Sequence, residues 1–211
     1  MKTLRTTRQL FVAAAIATVV TFGVAGTASA APLVISAGHV DVVDVDYASG
    51  ALTVQLLDSA GVERDPATVE LQVLPGARTT VPANSAYSFL GAPGDPVWIL
   101  PQTQNPNLLW AGWNSADVPS GTFASGLQLS LIGVTGGELA IYTSGLSGPS
   151  VLFDNGNGLP DTRPLAIGAH THANWAFSGA GTYTVTFRVS GTLSTGATVS
   201  DEATYTFTVQ A

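Results

Sequence analysis

The residues best suited to metal chemistry are the three histidines of the chain. His170 and His172 belong to the alternating segment 170–177, where positions 170, 172 and 174 share one face of a strand because side chains alternate with period two. Asn174 is therefore on the histidine face. The opposite face is apolar, with Ala173, Trp175 and Phe177.

A second alternating segment brings the remaining histidine together with a carboxylate. His39 and Asp41 share one face of the predicted strand 40–47 and its N-terminal extension, while valines occupy the other face. If the two strands are adjacent or face a common cleft, four donors converge. Neutral imidazole and carboxylate suit Zn²⁺ and also accommodate Mn²⁺ or Cu²⁺. The predicted metal ligands are His39, Asp41, His170 and His172, with Asn174 as an accessory candidate.

The alternative interpretation is that these histidines only form hydrogen bonds, without a metal. Signatures of enzymes are largely missing from the sequence. It contains no cysteine and no lysine after position 30, and Gly145-Leu146-Ser147-Gly148 lacks the spacing of a serine nucleophile motif. We predict a protein that is not an enzyme. A metallohydrolase, in which the ion activates water at an open position, is the remaining catalytic alternative.

A second candidate ligand site is the aromatic stretch 98–113. It interleaves three indoles with amide side chains, and aromatic faces can stack on sugars. The same residues could instead pack over an open end of the fold. The candidate residues of this loop are Trp98, Gln102, Gln104, Trp110 and Trp113.

The elements that must position these residues are short strands. Many short strands separated by Gly, Pro, Asn and Asp are typical of sandwiches and barrels. We predict an all-β fold, an Ig-like β-sandwich with long aromatic-containing loops at 75–95 and 101–121. The predicted strands are 40–47, 52–57, 68–74, 97–100, 127–134, 138–143, 151–153, 170–177, 182–190 and 203–209.

The first thirty residues have the composition of a secretory signal peptide. A basic start is followed by an apolar run and by Ala28-Ser29-Ala30, a pattern that signal peptidase accepts. An uncleaved anchor helix is the alternative interpretation. We predict a signal peptide at 1–30 and a single domain at 31–211. The mature protein is predicted to be secreted or extracellular, with association with the cell wall as an alternative. No transmembrane anchor is predicted in the mature chain.

The charge distribution also limits the partners. Three of the seven basic residues lie in the first thirty positions, whereas all fourteen carboxylates follow them. So acidic a chain repels phosphate backbones, and we predict no nucleic-acid partner.

Several motifs together resemble a known family. Gly38-His39-Val40-Asp41, the segment Leu109-Trp110-Ala111-Gly112-Trp113 and the block 168–187 are similar to the actinobacterial surface-anchored protein domain of "choice-of-anchor M" proteins. The likeness covers nearly all of 31–211, and its most specific part is a C-terminal family repeat at about 166–209. The resemblance implies a cell-surface or secreted β domain, encoded near metal-uptake ABC transporters.

These observations lead to one main functional prediction. The chain is expected to be an extracytoplasmic accessory protein that binds a divalent, zinc-like metal through His and Asp ligands. By resemblance, its partner would be the solute-binding protein of a metal ABC transporter or another surface protein. The alternatives are a structural or adhesive β module and a carbohydrate binder, both without metal.

Overall fold

The structure is a computed structural model that describes residues 30–211. Of the described residues, 58% lie in strands and 8% in helical turns, which confirms the all-β prediction. The strands are β1 (Leu33–Ile35), β2 (Gly38–Ala48), β3 (Ala51–Leu57), β4 (Glu63–Arg64), β5 (Val69–Val73), β6 (Arg78–Thr80), β7 (Pro96–Leu100), β8 (Leu109–Asn114), β9 (Phe123–Thr135), β10 (Leu139–Gly145), β11 (Gly148–Asp154), β12 (Asp161–Leu165), β13 (His170–His172), β14 (Asn174–Phe177), β15 (Gly181–Leu193) and β16 (Thr198–Val209). Short 3-10 helices span Pro66–Thr68, Pro75–Ala77, Ser85–Leu90 and Asn155–Asn157.

The strands form three sheets. Sheet I has six strands in the order β1-β5-β16-β15-β9-β12. Sheet II has five strands in the order β11-β10-β14-β7-β6, and sheet III has five in the order β13-β8-β2-β3-β4. Most pairs are antiparallel, but β2 pairs with β8 in parallel, as do β5 with β1 and with β16. Sheet III therefore joins segments that are far apart in the sequence.

Sheets II and III both pack against sheet I. Trp175 of sheet II contacts Phe187 and Phe207 of sheet I at ring-centroid distances of 5.9 and 5.7 Å. Between sheets I and III, the Tyr205 hydroxyl donates a hydrogen bond of 3.0 Å to the Gln55 carbonyl. Aromatic side chains of this size remove large apolar areas from water, and such burial is the main favourable term in folding.

The two segments predicted as loops contain strands, so this part of the prediction is wrong. Residues 101–121 include β8, an inner strand of sheet III, and residues 75–95 include β6 and two of the 3-10 helices. In β8, five of six residues are buried, so its sequence Leu-Trp-Ala-Gly-Trp-Asn does not alternate between apolar and polar. A strand buried on both faces lacks the period-two signal, and the Pro- and Asn-rich flanks concealed it.

The predicted strand 170–177 is divided between two sheets. Residues His170–His172 pair with β8 in sheet III, whereas Asn174–Phe177 pair with β10 and β7 in sheet II. The chain changes sheets at Ala173, which is completely buried. The change of sheet at Ala173 therefore separates the two histidines from Asn174.

Residues Ala31–Ala211 form one compact unit. Across residues 30–211, no helix is both long enough and apolar enough to span a membrane. The predicted signal peptide lies outside the described residues except for Ala30, so its cleavage remains a prediction.

Candidate metal centre

Two strands of sheet III, β2 and β13, carry the four predicted ligands, and both pair with β8. Their hydrogen-bonded order is β13-β8-β2, so β8 lies between the two histidine strands. Along β8, Trp110 is opposite His39, and Gly112 is opposite both Asp41 and His172. Directly opposed residues project from the same face of a sheet. The ligands therefore share one face, with Gly112 between them.

The structure brings all four predicted ligands into one cluster. One donor atom from each of His39, Asp41, His170 and His172 can be chosen so that all four lie within 4.8 Å of one another. The His170 Nε2 atom is 3.0 Å from Asp41 Oδ1 and 3.1 Å from His39 Nε2. The His39 Nε2 atom is 3.4 Å from Asp41 Oδ2.

These separations fit a small divalent ion. Zinc–nitrogen and zinc–oxygen bonds of about 2.0–2.2 Å in a tetrahedron place neighbouring donor atoms about 3.3 Å apart. The three shortest separations, among His39, Asp41 and His170, lie close to that value. Two Nε2 atoms that face each other at 3.1 Å also need a proton or a cation between their lone pairs. The donor set could therefore hold a metal ion, with the four donor atoms within 4.8 Å of one another.

Asp41 is a buried charge whose ion-pair partners within residues 30–211 are histidines. Its side chain is only 1% exposed. Among the described residues, it lies within ion-pair distance of His39 and His170, whereas Arg64 and Arg188 pair with carboxylates elsewhere. A buried carboxylate requires compensation, because removing an ion from water costs several kcal/mol. A metal ion or protonated imidazoles would supply it.

His172 differs from the other two histidines in its surroundings. Both of its ring nitrogens are buried, and neither has a hydrogen-bond partner among the described residues. Burial lowers the pKa of His172 below its ordinary value, and the nearby Asp41 charge opposes this effect. The Ala111 carbonyl also raises that pKa, although it does not meet the geometry of a hydrogen bond. The lowered pKa favours the neutral ring, which is the form that binds metals.

The outer side of the cluster is open to solvent. The side chain of His170 is 49% exposed and that of His39 is 25% exposed, whereas Asp41 lies at the bottom. An ion could therefore reach the carboxylate from solvent by passing between two exposed imidazoles.

A second pair of polar residues continues the same face behind Asp41. Asp44 is 1% exposed and accepts a hydrogen bond of 2.7 Å from Asn114 Nδ2. A β-bulge between Asp41 and Asp44 returns the second carboxylate to the face of the first. Strand alternation alone does not predict this bulge. Burial, more than any other cause, raises the pKa of Asp44 to about 6.

The candidate sugar-binding residues occupy several different environments. Trp98 lies in β7 and Trp113 in β8, and both are buried. Trp110 stacks on His172 with 3.7 Å between ring centroids. Gln102 accepts a hydrogen bond from Trp110 through its backbone carbonyl, and Gln104 is exposed. These side chains do not form one exposed aromatic surface.

Asn174 makes contacts outside the donor cluster. Its Oδ1 atom accepts a hydrogen bond of 2.9 Å from the backbone of Gln102. Its Nδ2 atom donates to the Tyr142 carbonyl and to Ser144 Oγ, each at 3.2 Å. The amide therefore joins sheet II to the segment that carries Trp110.

Comparison of the chain with protein-family models, with curated proteins and with solved structures found no match. The geometry of the cluster is therefore the clearest indication of function.

Proposed function

We propose that this protein binds one divalent transition-metal ion, preferably Zn²⁺, at His39, Asp41, His170 and His172. The observation that carries the proposal is the convergence of four donors from strands that are more than 120 positions apart in the sequence. His172, whose two buried ring nitrogens have no hydrogen-bond partner among residues 30–211, gives further support. An apolar or hydrogen-bonded replacement would stabilise this position better than an orphaned imidazole, unless a ligand binds it.

The donor set selects among metals. Three imidazoles and one carboxylate favour Zn²⁺, and after it Cu²⁺ or Mn²⁺, whereas Ca²⁺ and Mg²⁺ prefer oxygen donors alone. Four protein ligands also complete a tetrahedral zinc ion, as in sites without a catalytic water. We therefore propose binding rather than catalysis.

The proposed setting is extracytoplasmic. The signal-peptide pattern of 1–30 supports secretion, with retention at the cell wall as a variant. The packing of sheets II and III on sheet I is consistent with an Ig-like β-sandwich, and the quoted motifs support membership of the choice-of-anchor M domain family. On this proposal, a metal ABC transporter solute-binding protein or another surface protein would exchange the ion with this one.

The proposal predicts stoichiometric metal binding. Untagged protein, stripped with chelator and then reloaded, should retain about one Zn²⁺ per chain in elemental analysis. At Zn²⁺ a hundredfold above Kd, binding should add about 2.7 kcal/mol of stability and raise Tm by roughly 5–10 °C. Affinity should fall as the pH is lowered, because protons compete with the ion for the imidazole lone pairs. Equal stabilisation by Ca²⁺, or none by Zn²⁺, would leave the structural or adhesive module as the better proposal.

The proposed export has its own test. Protein collected from the culture medium should begin at or near Ala31, because signal peptidase cleaves after small-x-small sequences such as Ala28-Ser29-Ala30. N-terminal sequencing or intact mass measurement gives the answer. Exported protein that retains Met1 would contradict cleavage, although not the metal site.

A further inference from the structure

The ligands lie on strands that are not adjacent, so the side chains must span the strand between them, and His172 does so directly opposite Gly112. Neighbouring strands are about 4.8 Å apart, which places β13 and β2 about 10 Å from each other. The His172 ring nevertheless lies 5.0 Å from the His39 ring, measured between centroids. It reaches this position by extending over β8.

Gly112 provides the space for this crossing. A Cβ atom at position 112 would lie 2.7 Å from His172 Nδ1 and 2.9 Å from its Cε1. It would also lie 2.5 Å from the Thr171 carbonyl oxygen. Heavy atoms do not approach Cβ atoms so closely, so any side chain here would displace the ring or the strand. The His172 ring occupies the space that a side chain would take.

Trp110 holds the ring from another side. Its indole lies parallel to the imidazole of His172, with 3.7 Å between centroids and an angle of 12° between planes. The indole is fixed in turn, because Trp110 Nε1 donates a hydrogen bond of 2.8 Å to the Gln102 carbonyl. The backbone N–H of Gln102 donates a hydrogen bond to Oδ1 of the buried Asn174. The stack is thus anchored in two sheets.

We propose that Trp110 and Gly112 are positioning residues that hold the His172 imidazole over β8, ready to complete the donor set of His39, Asp41 and His170. This inference rests on the proposed metal binding and adds to it the residues that set its affinity. Within the described part of the chain, His172 lacks the usual second hydrogen bond that orients a metal-binding imidazole. Stacking and steric confinement replace that bond. A ligand fixed before the ion arrives loses little rotamer freedom on binding, which increases affinity.

The test measures the Zn²⁺ dissociation constant of the untagged full-length protein and of variants, by competition with a chromophoric chelator. Trp110→Ala should weaken Zn²⁺ binding at least tenfold, and Trp110→Phe, which keeps an aromatic face, should restore most of the affinity. Gly112→Ala should weaken binding at least tenfold. Zn²⁺ should also change the tryptophan fluorescence of the wild-type protein, because the Trp110 indole stacks on the ligand His172. The Trp110→Phe variant should lose most of this fluorescence change.

Two glycines elsewhere serve as matched controls. A Cβ at Gly133, also in a strand, would make only ordinary contacts of 3.6 Å with Thr186, so Gly133→Ala should leave affinity unchanged. A Cβ at Gly191 would lie 2.6 Å from Phe123, so Gly191→Ala should lower Tm without changing the dissociation constant of the folded protein.

The outcomes separate the two proposals. Wild-type protein that binds no Zn²⁺ would overturn the proposed function and this inference with it. Wild-type binding, together with unchanged affinity in Trp110→Ala and Gly112→Ala, would overturn the positioning role alone. If Gly112→Ala does not fold, the comparison of Trp110→Ala with Trp110→Phe decides, because loss in both to the same extent would contradict the stacking argument.

Discussion

Replacing His170 and His172 together with alanine should reduce Zn²⁺ affinity at least a hundredfold and abolish the Zn²⁺-induced rise in Tm. The change removes two of four donors, and each lost ligand is expected to cost more than a factor of ten. The remaining donors, His39 and Asp41, lie on one strand only. The change also empties the space above Gly112 that the His172 ring fills. Isothermal titration calorimetry and thermal melts with and without Zn²⁺ measure both effects.

Two controls address the ligand strand and the carboxylates outside the cluster. Thr171→Val alters the residue between the two histidines but keeps its branched shape, and should leave affinity unchanged. Glu138→Gln removes an exposed carboxylate outside the cluster and should do the same. Zn²⁺ binding of wild-type strength in the double histidine variant would place the ion elsewhere, for example on dispersed carboxylates.

Replacing Asp44 with asparagine should remove part of the pH dependence of stability. The folded-state pKa of Asp44 is raised to about 6, above the value of about 3.9 expected in the unfolded chain. Between these values the folded protein binds the additional proton, so the Asp44 contribution to stability falls as pH rises from about 4 to 6. Above pH 6 the buried charge costs on the order of 1–3 kcal/mol.

Asp44→Asn keeps an oxygen that can accept the hydrogen bond from Asn114. The variant should therefore be more stable than the wild type at pH 7.5 and nearly equal to it at pH 4. Urea unfolding between these pH values, with chelator present, gives the difference. Asp46→Asn, in the same strand but partly exposed, is the matched control. A stability difference between wild type and Asp44→Asn that does not change with pH would contradict the prediction.

Much of the site was predictable because its signals are local. Strand alternation placed His39 with Asp41, and His170 with His172, without any knowledge of tertiary structure. The same rule failed for Asp44, which the bulge turns to the ligand face and buries. A bulge inserts one extra residue into a strand, and no residue type here indicates it. The face to which side chains beyond the bulge point could therefore not be predicted.

The sequence did not predict the proposed positioning residues, which contact a ligand side chain but donate no atom to the ion. Trp110 and Gly112 lie in a segment predicted to be a loop, where Trp110 was a candidate for sugar stacking or for packing over an open end of the fold, and Gly112 was assigned no role. Their roles depend on contacts with His172, sixty positions away in the chain. Stacking and close approach are pairwise properties, and neither residue indicates its partner by type or spacing.

The sequence by itself predicted the all-β class and the four side chains that cluster in sheet III. Both follow from short-range rules, since turn residues delimit strands and period-two alternation assigns side chains to faces. Tertiary structure alone decided that β8 lies between the ligand strands, that Gly112 is opposite both Asp41 and His172, and that the bulge buries Asp44. Strand order and register depend on hydrogen bonds and packing between distant segments, and no local pattern encodes which distant segment will pair.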